Sequence, residues 1–342
     1  MMTELSEHLQ RLLALTVLAL LAPGLVCAGV PVRLGVVNWI GYGPIYCAAA
    51  NGDYRKYGAE VRLATFSDNS LMPGALEGGE IEASTLTYDQ VIMASAKGWR
   101  LKVVMPLDYS VGGDAIISTA TVGSVKDLKG RKVAFQSLSP SDFLLGYALA
   151  QAGLSEKDIR PVNSTPEGVV SIMATGAVDA GVTYQPSVSM ILKLGGGKLY
   201  HVLLSSREAR GMITDVLVVK DNTIAQNPKL VEALIRGTLD GLAFMQREPG
   251  KALALIGKTL ELSPAEVQAE LSNIENPPLA EMDEVFKNSP HLPSFYASGT
   301  IIGTILKREG QIERLPSIAE TYDARFVSEL RTKLKTYPGG PR

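Results

Sequence analysis

The chain has 342 residues, 46% of them hydrophobic and 20% charged, so a large packed core is expected and disorder is excluded as the main state. With 33 Lys and Arg against 35 Asp and Glu, a formal net charge of -2 and basic residues scattered in ones and twos, there is no field to hold nucleic acid or an anionic membrane surface. Two cysteines cannot make a disulfide framework and three histidines leave little material for a zinc site, so neither a metal nor another cofactor is expected.

From the N-terminus, the first 28 residues read as an export signal: a short start containing Arg11, an apolar run over 12–22, Pro23-Gly24, and Val26-Cys27-Ala28 before Gly29. The run is short for a membrane span, and the residues before Gly29 suit signal peptidase, so cleavage after Ala28 and a periplasmic location are expected. A lipid anchor on Cys27 is the lesser alternative, because bulky Val26 directly precedes it, and an uncleaved anchor is lesser again. Loss of Glu4, Glu7 and Arg11 leaves 32 basic and 33 acidic residues, with Cys47 as the one thiol. About 314 residues then remain, enough for two domains whose cores need no disulfide.

The pattern that follows alternates. A buried strand over 32–37 leads through a Gly-rich turn to a helix over 44–57; then come strand 60–65, helix 70–78, strand 81–86, helix 90–97 and strand 101–107. Strands alternating with helices predict an α/β fold with a parallel sheet wrapped on both faces. A second round begins with strand 131–135, and Ser139-Pro140-Ser141-Asp142 opens a helix with an N-cap, Pro at the first position and an acid at the third. The rounds echo each other directly. Gly79-Glu-Ile-Glu-Ala-Ser-Thr-Leu-Thr-Tyr88 and Gly176-Ala-Val-Asp-Ala-Gly-Val-Thr-Tyr184 each end a helix with Gly, enter a buried strand through an acid-Ala pair and leave it at Thr-Tyr. The copies start 97 residues apart and the strands at Val32 and Arg131 lie 99 apart, which predicts two similarly built, Rossmann-like lobes.

After about Thr214 the pattern changes: a strand over 215–219 is followed by helices over 228–246, 249–260 and 264–273, the last capped by Ser263 with Glu266 at its third position, and by further helices to Leu334. A strand returning this late most simply rejoins the first sheet. The expected layout is lobe I, 30–112 and 215–342, interrupted by lobe II, 113–214, with hinge crossings near 110–113 and 210–215 where Gly112, Gly113 and Gly211 absorb dihedral changes.

Ligands of such sheets bind beyond the carboxyl ends of the strands. Lobe I then offers Asn38, Trp39, Tyr42, Asp68, Thr87, Tyr88, Asp108 and Tyr109; lobe II offers Gln136, Ser137, Ser139, Glu167 and Tyr184; the second crossing adds Asp215. These loops are rich in aromatics and acids and hold no Lys or Arg, which favours a flat or cationic, nitrogen-rich small molecule. A plainer reading has the rings sealing lobe contacts and some acids capping helices. Backbone N–H groups at Gly43 and at 139–141 offer an anion a place too, so the charge of the ligand stays open.

Asn38-Trp39-Ile40-Gly41-Tyr42-Gly43-Pro44, the Gly79-Glu-Ile-Glu-Ala segment, Asp108-Tyr-Ser-Val-Gly-Gly-Asp-Ala115, Val125-Lys-Asp-Leu-Lys-Gly-Arg-Lys-Val-Ala134 and Val178-Asp-Ala-Gly-Val-Thr-Tyr-Gln-Pro186 together resemble the substrate-binding proteins of ABC importers, in the sulfonate, taurine, nitrate and thiamine-pyrimidine precursor group. The resemblance spans about residues 32–260. It implies a type II periplasmic binding fold that closes on a nutrient and delivers it, as a monomer, to a membrane permease. Members often carry Trp and Glu where this chain has Tyr184 and Gln185, so the ligand does not carry over; the Asp-Tyr-Ser-Val-Gly-Gly-Asp segment is more like members linked to urea-type and other nitrogen compounds. A ligand-binding part of a membrane sensor would use the same cleft and is the alternative. An enzyme is the weaker reading, because the thiamine-pyrimidine enzyme that shares this fold needs a cysteine-rich iron motif and a reactive His. Here His201 sits in an expected strand, His291 is expected to start a helix after Pro290, Cys47 lies on a buried helix face, and Gly-x-Ser-x-Gly is absent.

Overall fold

The computed structural model describes residues 30–335; the expected export signal and Cys27 lie outside the described residues. The first round of the chain is β1 (Val30–Val36), α1 (Gly43–Asn51), β2 (Ala59–Thr65), α2 (Met72–Gly78), β3 (Ala83–Thr87), α3 (Tyr88–Ala96) and β4 (Leu101–Ser110). The second is β5 (Asp114–Thr119), β6 (Lys132–Phe135), α4 (Pro140–Gln151), β7 (Arg160–Asn163), α5 (Pro166–Ala174), β8 (Ala180–Tyr184), α6 (Ser187–Lys193) and β9 (Tyr200–Ser205). The rest is β10 (Thr214–Lys220), α7 (Asp221–Gln226), α8 (Pro228–Arg247), α9 (Pro249–Leu260), α10 (Pro264–Leu271), β11 (Ile274–Glu275), α11 (Phe295–Arg308) and α12 (Arg325–Lys335).

The described strands form two sheets, one in the order β11-β4-β10-β3-β1-β2 and one in the order β7-β6-β8-β5-β9. Neither is purely parallel, which corrects the sequence expectation. β1 pairs in parallel with β2 and β3, and β6 with β7 and β8, but β10 runs antiparallel between β3 and β4, and β5 antiparallel between β8 and β9. The crossings impose this direction. β4 leaves the first sheet at its carboxyl end and β10 comes back at that same end, so β10 must run against its neighbours; β5 enters the second sheet at the end where β8 finishes.

Smaller corrections have local causes. The helix expected over 44–57 stops at Asn51, because Gly52 takes a left-handed φ of 72° and a 3-10 turn over Asp53–Tyr57 follows. His291 does not start a helix: Ser294 accepts a hydrogen bond from the Tyr296 N–H and caps α11, which begins at Phe295.

The two crossings lie side by side and are tied together. Ser206 Oγ sits 2.7 Å from Ser110 Oγ and accepts from the Gly112 N–H at 2.8 Å. Gly112 (φ 127°) and Gly211 (φ 84°) hold backbone conformations that other residues rarely adopt. The carboxyl ends of β1, β3, β6 and β8 and the start of β5 all come to this junction, and the pocket lies there.

Candidate functional site

The register of the sheets decides which side chains meet. In the first sheet Asp215 of β10 stands opposite Thr87 of β3 and opposite Asp108 of β4. In the second, Asp114 of β5 stands opposite Tyr184 of β8. Directly opposed residues on neighbouring strands have Cβ atoms roughly 4.5–5.5 Å apart, so Asp108 and Asp215 are forced together.

Between the sheets is a narrow pocket, partly open to solvent and with free space of about 20 Å³, walled by Val37, Trp39, Tyr42, Asn69, Met72, Thr85, Thr87, Gln90, Asp114, Pro140, Tyr184, Ile213 and Asp215. Trp39, on the turn after β1, and Tyr184, at the end of β8, meet edge to face at 5.6 Å and 89° and join the two sides. Tyr184 Oη donates to Asn69 Oδ1 at 3.1 Å, and Tyr42 Oη donates to Asp215 Oδ1 at 2.5 Å. Trp39 Nε1 donates to both oxygens of Asp108, at 3.2 and 3.3 Å. That contact explains the glycine between the two rings: a Cβ on Gly41 would lie 2.4 Å from both Asp108 Oδ2 and Trp39 Nε1.

Of the fourteen residues picked from sequence, Trp39, Tyr42, Thr87, Tyr184 and Asp215 line the pocket, and Asp108 lies directly behind it under Trp39. The others stand elsewhere. Asp68 accepts from Gln136 Nε2 at 2.8 Å in a bridge between the two sides, and it also caps the turn before α2. Ser139 caps α4, accepting from the Ser141 N–H, while the Ser137 N–H donates to Asn163 Oδ1. Tyr109 is buried beneath the Arg210 guanidinium, and Asn38 and Glu167 are exposed. Tyr88 turns into the interior, stacked on Phe295 at 3.9 Å with its Oη 2.9 Å from Thr321 Oγ1. Gln185, at the altered family position, caps α6 by accepting from the Ser189 N–H.

Sequence reasoning passed over Met72, Gln90, Pro140 and, most consequentially, Asp114. The signal for Asp114 was its place as the first strand residue after Gly112-Gly113, opposite the tyrosine of the second echo.

The electrostatics are one-sided. Asp89, Asp108, Asp114 and Asp215 are all at most 3% exposed. Burial raises each of them, Asp114 to about 7 and Asp89 to about 6. Asp108 and Asp215 are raised above the carboxylate range by burial, with Asp114 adding to the rise of Asp108 and Asp108 adding to that of Asp215; the Trp39 and Tyr42 hydrogen bonds pull the other way.

Such a pocket can bind and orient a solute. It pairs no nucleophile with a base: Cys47 is buried in α1 with its thiol pushed up to about 12 by burial, His201 lies on β9 beside Ser118 Oγ, and His291 is exposed. Among the described residues no group of three or more His, Cys, Asp or Glu is arranged to hold a metal ion.

Comparison with known proteins agrees with this geometry. The family model described as NMT1/THI5 like matches residues 39–252. The chain is 21% identical over 302 residues to the taurine-binding periplasmic protein of Escherichia coli, covering 83% of this chain and 89% of that one. It is 27% identical over 231 residues to the riboflavin-binding protein RibY of Chloroflexus aurantiacus, covering 66% and 65%. The structure of the alkanesulfonate-binding protein SsuA from Xanthomonas axonopodis pv. citri superposes with a TM-score of 0.71 over 86% of this chain and 98% of that one, at 18% identity, which places the fold among periplasmic binding proteins.

Proposed function

Because the chain belongs to the NMT1/THI5-like family, we propose that it is an exported, monomeric solute-binding protein that captures a small nutrient between two lobes and hands it to an ABC permease. Solute binding is the role of the family to which its relatives belong, and the ligands in their names differ: taurine and alkanesulfonate share a sulfonate group, whereas riboflavin has none. The ligand of this chain is therefore set by its own pocket.

The observation that carries the reading is the composition of the pocket wall. One side comes from the sheet of β1 to β4 and β10, the other from the sheet of β5 to β9, and the two are linked covalently only through the crossings at 111–113 and 206–213. A solute touching Trp39, Tyr42 and Asp215 on one side and Asp114 and Tyr184 on the other stabilises the closed arrangement over the open one, and the glycine crossings supply the hinge. No catalytic role is assigned, since the pocket holds no nucleophile with an adjacent base. Permease components recognise the closed form, so solute capture is converted into a change of surface.

The test is a thermal-shift screen against sulfonates, nitrate, pyrimidines, amines and urea derivatives, because a solute that binds the folded state raises Tm by linkage. A hit is expected to lose its effect in Trp39→Ala and Tyr42→Ala, both of which should still fold. Unchanged affinity in both variants would place the solute elsewhere.

A further inference from the structure

Asp114 is 2% exposed, lines the pocket, and its Oδ2 has no hydrogen-bond partner. A buried carboxylate oxygen left unpaired is costly, and what it lacks is a donor. The surroundings supply none. The Asp114 backbone N–H donates to Ser110 Oγ at 3.1 Å, and the charge acting on its carboxyl group is that of Asp89. Asp215 takes the Tyr42 hydroxyl and feels Asp108, Asp114 and Asp89; Asp108 takes Trp39 Nε1 and feels Asp114. Every ionisable group in these sets is an acid or a tyrosine, and no Lys or Arg is in the pocket wall.

An anion fits this wall poorly. It would face the buried acids Asp114 and Asp215, with Asp108 behind them, and two backbone donors that might have held it are occupied: the Gly43 N–H bonds to Ile40 O and the Ser141 N–H to Ser139 Oγ. A neutral solute gives Asp114 and Asp215, which burial holds toward their protonated forms, no charged partner. A cation with N–H donors supplies both the missing donor and the charge, and Trp39, Tyr42 and Tyr184 offer ring faces and edges to a flat or alkylated cation. Given the capture reading above, on which this step rests, we propose that the solute is a small organic cation, a protonated amine or amidinium, held between Asp114 of one sheet and Asp215 of the other.

The experiment uses the chain as it exists with two sets of matched probes: benzamidinium, benzamide and benzoate, and methylguanidinium, methylurea and methanesulfonate. Calorimetry and thermal shift are expected to show the cation of at least one set binding at least about thirtyfold more tightly than its neutral and anionic partners, the size of effect found when a buried charge pair is lost. Asp114→Asn is expected to fold, since the amide keeps the shape without the charge, and to erase that preference. The wild-type comparison stands alone if the variant does not fold. Equal or tighter binding of the neutral or anionic probes, retention of the preference in Asp114→Asn, or no binding by either cation at millimolar concentration overturns the proposal. A sulfonate or nitrate that raises Tm where the cations do not overturns it while leaving solute capture intact, whereas no response to solutes of any charge counts against capture itself.

Discussion

β3 and β8 are entered from a glycine, run fully buried through five residues and are followed or closed by Thr-Tyr, yet Tyr88 packs into the interior while Tyr184 faces the pocket. Counting from the alanine that opens each strand, Ala83 or Ala180, resolves the difference. The fifth residue is Thr87 in one copy and Tyr184 in the other, and both line the pocket. The sixth is Tyr88 in one and Gln185 in the other; Tyr88 is the first residue of α3, whereas Gln185 lies just before α6 and its side chain accepts from the Ser189 N–H. Side chains alternate between faces with a period of two, so one additional residue before the tyrosine sends an identical dipeptide to the opposite side. The same motif therefore builds core in the first sheet and pocket wall in the second.

Breaking the two tyrosines separately gives the largest contrast. Tyr88→Ala removes a fully buried ring stacked on Phe295 and is expected to cost about 3–5 kcal/mol in denaturant unfolding, with solute affinity unchanged in whatever remains folded. Tyr184→Ala loses an edge-to-face contact and one hydrogen bond, about 2 kcal/mol, and should instead abolish binding. Equal stability losses in the two variants would dissolve the distinction.

pH sharpens the same contrast, because the junction beside Tyr184 holds the buried acids and the Tyr88 stack holds none. A carboxyl raised on folding keeps its proton in the folded state while the unfolded chain has released it, so stability is greatest below the ordinary carboxylate range and falls as pH rises toward 7, through the values of Asp89 (about 6) and Asp114 (about 7). Without solute, Tm should fall between pH 4 and pH 8, with about 3 kcal/mol of the loss removed by Asp114→Asn. A flat profile, or an Asp114→Asn profile as steep as the wild type, contradicts the assignment. Gly41→Ala comes next: the added methyl must displace Trp39 or Asp108, at about 1–3 kcal/mol, and weakens binding through Trp39. Tyr184→Phe is the smallest, about 1 kcal/mol for the Asn69 hydrogen bond, with the ring contact to Trp39 kept.

Much of this was legible in the chain. Alternating apolar runs marked the strands, proline and N-cap residues marked α4, α8, α9 and α10, and the turn after β1 named Trp39 and Tyr42. What could not be read was what depends on register. Asp108 and Asp215 are far apart in sequence and meet only because β10 lies against β4, and Asp114 meets Tyr184 only because β5 lies against β8. Tyr88 and Tyr184 looked equivalent because a one-residue offset is invisible in the motif. Met72 and Gln90 enter the wall from helix starts whose approach to the cleft is set by packing rather than by local pattern.

The central claim is that the solute sits between the two sheets against Trp39. The chain has two tryptophans, Trp39 and the half-buried Trp99 beneath Lys97, so Trp99→Phe leaves Trp39 as the only indole. Titrating that variant with the solute found by thermal shift is expected to give a saturable change in Trp39 emission, with the same Kd as calorimetry and lost in Tyr184→Ala. Calorimetric binding with Trp39 emission unchanged at saturation would put the solute outside this pocket.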